Sequence, residues 1–446
     1  MGSERPWQVS GKWLVSLYNY ADEVRKFMPN LPRSIQIRDV TYREADDQMG
    51  LYLTVEDRVT LALKASEIGI KELDIGAPSI MPHQRETCTA IRKAYNRAGI
   101  DKSITRISGR YFGVATDHKH AIDGIMGAGA TDVRCCLMSP LSVGEKGFDE
   151  QLAGIPEAVE YSHKKYGATF TVGVDDTTRT PLEYVEKAYK AIVEAGADKG
   201  WFADTHGVGI PSGLRYLAAE IKKIIGDMPL ACHIHNHNGM GVATTLGAIE
   251  GGVNEPDVTW NGYGDQAGNA CLEEVVCDLE ALYGVQTGVK LERLTEISEM
   301  VEKMCGVETQ KHKAYTGKDA FAFTSTSWST PTGMMLAGVP KEEIEKTIAA
   351  RQKIAPERES FNAAVLGRKK NYTWGSYATR QERVIKAKLE TMGLKYTDQS
   401  IKKIQSALIA EIDRQVALNK ELMAKKEKAY LTDEEFERFV RKIGAV

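Results

Sequence analysis

The chain has 446 residues, with 58 lysines and arginines against 61 acids and a formal net charge of −3. That balance points to no nucleic-acid or anionic-membrane partner, and no uninterrupted apolar run is long enough to span a bilayer. With 42% hydrophobic and 27% charged residues, the composition is that of a soluble globular protein, long enough for one large barrel with an appendage. The opening MGSERPWQVSGKW lacks a secretory layout, and an odd seven cysteines without a CxxC pair fit a reducing compartment. Cytoplasm is the expected location.

After an N-terminal extension (1–32), short β-branched runs alternate with amphipathic stretches. SIQIRDV (34–40) is followed by the helical TVEDRVTLALKASEIG, and IKELDIGAP (70–78) by another helix from about His83. KSITRISG, TDVRCCLMS, ATFTVGVDD, DKGWFADTHG, PLACHIHNH and PDVTWNGYG continue the series. Several helices end in Ala-Gly or Gly-Gly, as a C-terminal left-handed glycine requires. About eight strand–helix units, spaced by roughly 30 residues, predict a (β/α)₈ TIM barrel over 33–305. An open doubly wound sheet also alternates, but the first strand lacks the glycine-rich turn of a dinucleotide fold. From 306 to 446 the pattern changes to a loop-rich stretch and then Lys-, Glu- and Ala-rich helices, a mostly helical C-terminal subdomain.

Polar residues gather where the strands end: Arg38 and Asp39 on the first, Asp74 on the second, Asp175 and Asp176 on the fifth, Asp204 and Thr205 on the sixth. In a barrel these ends share one mouth, where an active site belongs. On the seventh strand, in CHIHNHNGMG (232–241), His233 and His235 are one residue apart and face the same space. Two imidazoles plus Asp39 from the first strand would form a facial site for a divalent cation. A hydrogen-bonded core pair is the alternative.

IRDV, HIHNHNG and the final NGYGDQAGN together resemble the DRE-TIM metallolyase superfamily, and most closely its 2-isopropylmalate, homocitrate and citramalate synthase branch. VDDTTRT (174–180), ADTHGVGIP (203–211), AYTGKDAFAFTS (314–325) and LGRKK (366–370) are similar to further stretches of that branch. The resemblance implies that Asp39, His233 and His235 hold the metal (Zn, Mg or Mn), with Asn269 completing or approaching the set. It implies that Arg38 steadies an enolate oxygen and that Thr205 binds the carboxylate of a 2-oxo acid. Arg38 paired with Asp39 or Asp74, and Thr205 capping the next helix, are the plainer alternatives. The expected reaction is a Claisen-type condensation of an acyl-CoA, in the first instance acetyl-CoA, with a 2-oxo acid. The expected assembly is a homodimer with no nucleic-acid or membrane partner.

Several departures from the family pattern bear on that reaction. The first-strand motif, usually Arg-Asp-Gly-x-Gln, reads RDVTYREADDQMG, which puts Tyr42 at the glutamine position beside the substrate or displaces it toward Gln48. Asp74, Asp175 and Asp265 stand where glutamates are expected, with Asp74 and Asp175 as catalytic candidates, and His237 stands where Asp is usual. Phe323 and Trp328 occupy the positions of two histidines, and Trp cannot exchange a proton at neutral pH. Tyr315, Lys311 or His312 would then take that task. A metal-dependent carbon–carbon lyase or aldolase is the alternative activity, and a non-catalytic ligand-binding barrel is the second. The chain ends without the extra domain of feedback-inhibited synthases, so no leucine-type allosteric site is expected.

Overall fold

The computed structural model describes residues 12–114, 117–323, 339–354, 361–368, 371–372, 382, 385–386, 389, 392–422 and 433–444. They divide into two compact units, one spanning 14–309 with 314–316 and the other comprising 12–13, 310–313 and 317 onward.

The first unit is a closed parallel barrel of eight strands in sequence order. They are β1 (Arg38–Asp39), β2 (Glu72–Asp74), β3 (Arg106–Phe112), β4 (Asp132–Leu137), β5 (Thr169–Val174), β6 (Lys199–Asp204), β7 (Leu230–Ile234) and β8 (Glu255–Val258). β1 pairs with both β2 and β8, which closes the ring. After α1 (Asp22–Lys26), the short α2 (Thr41–Glu44) follows β1 directly. The outer helices are α3 (Val55–Ile68), α4 (Pro82–Ala98), α5 (His118–Gly127), α6 (Pro140–Tyr166), α7 (Leu182–Glu194), α8 (Pro211–Ile225), α9 (Gly241–Glu250), α10 (Leu272–Asp278) and α11 (Leu294–Cys305).

Local chemistry sets their ends. Thr54 and Asp57 form a reciprocal capping box at the start of α3. Proline opens α4, α6 and α8, where a missing N–H costs nothing. Gly69 ends α3 at φ 103°, and a Cβ there would stand 2.4 Å from the Gly288 carbonyl oxygen.

Inward positions alternate along each strand, and much of what they place in the lumen is charged. Near the strands' N-terminal ends Lys199 meets Glu255 at 2.7 Å and Glu72 at 3.2 Å, and Arg106 meets Glu72 at 2.7 Å. One layer up, Arg38 bridges Glu72 and Asp257, each at 2.7 Å, while Arg134 bonds Asp257 at 2.8 Å and Asp74 at 3.2 Å. These guanidiniums hold Asp257 and Glu72 well below the usual carboxylate range against the opposing effect of burial. Each of these lumen charges is therefore paired, as a dry interior requires.

The second unit carries α12 (Lys341–Ile354), α13 (Asp398–Leu422), α14 (Asp433–Lys442) and a two-stranded parallel sheet of β9 (Ala322–Phe323) and β10 (Asn371–Tyr372). Its core packs Ile385, Leu389, Ile401, Ile404 and Leu408 with Phe436 and Val440 of α14. Among the described residues no helix is long and apolar enough to cross a membrane.

Candidate active site at the barrel mouth

His233 lies on β7 and His235 just beyond it, and strand alternation turns both rings to the mouth, with their Nε2 atoms 3.1 Å apart. His233 Nδ1 meets the Asp257 carboxylate at 3.0 Å. A carboxylate there fixes the ring so that Nε2 is free to act as a ligand. Burial, then the neighbouring His233, His237 and Arg43, depresses His235 to about 2, so its imidazole is neutral.

The carboxylate that joins these rings is Glu44, at the end of α2. Its Oε1 is 3.3 Å from His233 Nε2 and its Oε2 is 3.8 Å from His235 Nε2. Glu44, His233 and His235 each bring one ligand atom to within 4.8 Å of the others. Glu44 Oε2, His235 Nδ1 and the Oδ1 of the buried Asn269 have no hydrogen-bond partner. Asn269 faces the cluster through its amide nitrogen, 3.3 Å from His233 Nε2. A carboxylate, two imidazoles and an orphaned amide oxygen are donors that suit a divalent cation.

Arg43 pairs with Glu44 and, at 3.1 Å, with Asp47. Asp175, past the end of β5, is raised by burial, with His233 and Arg43 opposing that shift. Thr205 Oγ1 accepts the Asp176 N–H at 2.9 Å, which leaves its own hydroxyl proton available. Asp204 ties the loop together by accepting from the Thr178 hydroxyl at 2.7 Å and the Gly209 N–H at 2.9 Å.

Three expected residues are elsewhere. Asp39 does not reach the imidazoles. Its side chain accepts from Thr41 N–H and Trp260 Nε1–H, each at 2.9 Å, and it is fully buried on the helix side of β1. Arg38 belongs to the lumen network below the mouth. Tyr42 is fully buried, with Asp39, Tyr95 and Arg58 as its charged and polar neighbours, so it faces no substrate space. The reason is the pleat: adjacent residues of a strand point to opposite faces, so Arg38 and Asp39 cannot share the mouth. The overlooked signal is a second Arg–acid pair five residues on, in YREADDQMG. It sets Arg43 and Glu44 at the Arg-Asp of the family motif and leaves Gln48 one place beyond the family glutamine. Gln48 Oε1 accepts the Gly264 N–H of the final loop at 2.9 Å.

Asp74 lies in the lumen and bonds Arg134 and the Gly76 N–H rather than Arg38. His237 sits 3.7 Å from Asp265 at the rim, and exposed His206 meets Arg179 at 2.9 Å. Tyr315 donates to Asp278 at 2.6 Å, at the C-terminal end of α10 and thus away from the mouth. Lys311 and His312 are exposed in the second unit. Trp328 lies outside the described residues.

An eight-stranded parallel barrel with a carboxylate and two histidines at its mouth defines a class of metal-dependent barrel enzymes. Residues 34–301 match the family described as HMGL-like, and the chain belongs to that family and to the DRE-TIM metallolyase superfamily. It is 33% identical over 381 residues to a probable 2-isopropylmalate synthase of Methanopyrus kandleri, covering 84% of this chain and 69% of that one. A putative (R)-citramalate synthase of the same organism is 30% identical over 374 residues, covering 84% and 68%. Its homocitrate synthase is 28% identical over 415 residues, covering 93% and 94%. The fold is similar to a hydroxymethylglutaryl-CoA lyase from Pseudomonas aeruginosa, with a TM-score of 0.54 at 16% identity over 65% of this chain and 98% of that one. The relatives are named as synthases, which makes this chain a member of an enzyme family.

Proposed function

We propose that the protein is a divalent-metal-dependent acyltransferase that condenses an acyl-CoA, in the first instance acetyl-CoA, with a 2-oxo acid. The observation that carries this reading is the Glu44–His233–His235 cluster, with Asp257 behind His233 and Arg43 beside Glu44. Glu44, His233 and His235 would hold the cation, with Asn269 beside them, and the ion would supply Lewis-acid polarisation of the 2-oxo acid. The Thr205 hydroxyl donates to that carboxylate. Asp175 takes the α-proton of the thioester, and Arg43 stabilises the enolate oxygen that forms. The enolate carbon bonds to the oxo carbon, whose oxygen takes the π electron pair and a proton from solvent to become a hydroxyl, and water then cleaves the thioester to a carboxylate and the free CoA thiol. Purified protein given Mg²⁺, Mn²⁺ or Zn²⁺, acetyl-CoA and a panel of 2-oxo acids should release thiol. No thiol with any acid in the fully metal-loaded protein overturns the reading.

The replacement of the family's two histidines by Phe323 and Trp328 favours a second reading, a lyase or aldolase using the same enolate in reverse. It requires exchange of pyruvate α-protons for deuterium without CoA. Either enzyme would work as a homodimer, which sedimentation of the full chain tests.

A further inference from the structure

Strand register carries Thr205 to the side of His235. β6 and β7 pair Ala203 with His233 and Asp204 with Ile234, and one step further the same register sets Thr205 against His235. Alternation turns Ala203 and Thr205 to one face and Asp204 to the other, so the Thr205 hydroxyl shares the mouth with the imidazoles. The two segments are in close contact: a Cβ on Gly207 would stand 2.7 Å from the His235 carbonyl oxygen and 2.9 Å from the His237 nitrogen. From the other side the Asp176 N–H donates to the Thr205 hydroxyl. Asp176 holds φ at 53°, a left-handed conformation that a residue with a Cβ keeps only where its surroundings enforce it. Arg179 supplies that enforcement. Its N–H donates to the Asp176 carbonyl at 3.2 Å and its Nε to the Asp176 carboxylate at 2.9 Å. Its Nη2 bonds both that carboxylate and His206 Nε2, the latter at 2.9 Å. A guanidinium has no acceptor, so His206 accepts. His206 follows Thr205 in the chain, and the contacts therefore close a ring through Thr205, Asp176, Arg179 and His206.

We propose that Arg179 is a positioning residue for the 2-oxo acid: it touches no substrate and acts by fixing Asp176 and His206 on either side of Thr205. The inference rests on the proposed condensation for the identity of the ligand. A threonine hydroxyl carries one proton, which rotates to suit its partners. With its oxygen engaged by the Asp176 N–H, the proton turns away from that group and toward the mouth. Released from Arg179, Asp176 has nothing to hold its left-handed turn, and the hydroxyl loses its fixed aim. Arginine suits the task because its planar fork reaches two partners at once, whereas a lysine ammonium is a point charge on a flexible stem. The Arg179 side chain is half exposed, so replacing it leaves the core packing intact.

The experiment is a double-mutant cycle on the metal-loaded full-length protein, with pyruvate, 3-methyl-2-oxobutanoate and 2-oxoglutarate as probes. Calorimetry without acetyl-CoA gives the affinity for each acid, chelator competition gives that for Mn²⁺, and thiol release gives the KM of both substrates. Arg179→Met should weaken binding of the preferred acid about tenfold and raise its KM alike, the worth of one hydrogen bond to a charged group. The KM of acetyl-CoA and the affinity for Mn²⁺ should change less than about twofold. Arg179→Lys should recover part of the loss, and it carries the cycle where circular dichroism shows Arg179→Met unfolded. In the Thr205→Val background, where the hydroxyl is gone, Arg179→Met should cost less than about twofold further. The full loss in that background overturns the inference, because Arg179 then acts on the ligand directly or through another group. So does an unchanged acid affinity for Arg179→Met, or a Mn²⁺ affinity that falls as far. Acid binding that follows the expected pattern without thiol release leaves Arg179 in its role and removes the condensation reading instead. Binding of none of the three acids overturns both.

Discussion

Glu44→Gln keeps the shape of the side chain and removes the charge that brings a carboxylate to the two imidazoles. Cation affinity, measured by competition with a chromogenic chelator, should fall at least about tenfold. Asp39→Asn should leave that affinity unchanged, because the Asp39 oxygens are committed to Thr41 and Trp260. A drop for Asp39→Asn and none for Glu44→Gln would reverse the assignment. The pair also shows what could be read from the residues alone. His233 and His235 were legible because a two-residue period is the most reliable geometric rule of a strand. The same rule separates Arg38 from Asp39, and it applies only as far as β1 runs. Arg43 and Glu44 reach the mouth through the short helix after that strand, and no periodicity marks where a four-residue helix aims its last side chain.

At the scale of elements, the barrel was legible because each strand–helix unit carries its own stop and start signals, such as the Gly69 end of α3 and the Pro82 start of α4. The lumen was not, since pairing of Arg38 with Asp257 or Lys199 with Glu255 depends on register across strands far apart in sequence. The corner between β1 and α2 offers a pH test. Burial lifts Asp39 to about 6 against the opposing pull of its hydrogen bonds to Thr41 and Trp260. The folded state then binds a proton more tightly than the unfolded chain, so stability falls as pH rises from about 4 to about 6 and stays level above. Two pH units correspond to about 3 kcal/mol. Chemical denaturation across that range should show a flatter curve for Asp39→Asn than for the wild type, and parallel curves would refute the role of this carboxyl. The loop after β8 offers a second test. Gly264 sits at φ 154°, and a Cβ there would lie 1.9 Å from Asn269 Oδ1. Gly264→Ala should displace Asn269 and weaken cation binding, and an unchanged cation affinity would place Asn269 outside the ligand set.

For the whole molecule, Asp257 joins the part that folds the barrel to the part that would do chemistry. It is the common partner of Arg38, Arg134 and His233, and it is fully buried. Asp257→Asn leaves two buried guanidiniums short of a counter-charge, a loss of about 3–5 kcal/mol by analogy with other broken buried pairs. It also frees the His233 ring, which should cost about 10–100-fold in cation affinity. Arg38→Met removes a charge from the same network without touching His233. It should lower thermal stability while the cation affinity of the folded fraction stays near that of the wild type. A cation that binds the folded chain alone raises the melting temperature in proportion to the logarithm of its concentration. The cation concentration at which that rise sets in therefore reports site affinity separately from baseline stability. Melting curves titrated with Mn²⁺ should show a lowered baseline in both variants and a weakened cation response in Asp257→Asn alone. Equal responses in the two variants would mean that the lumen network supports the barrel but does not orient the site above it.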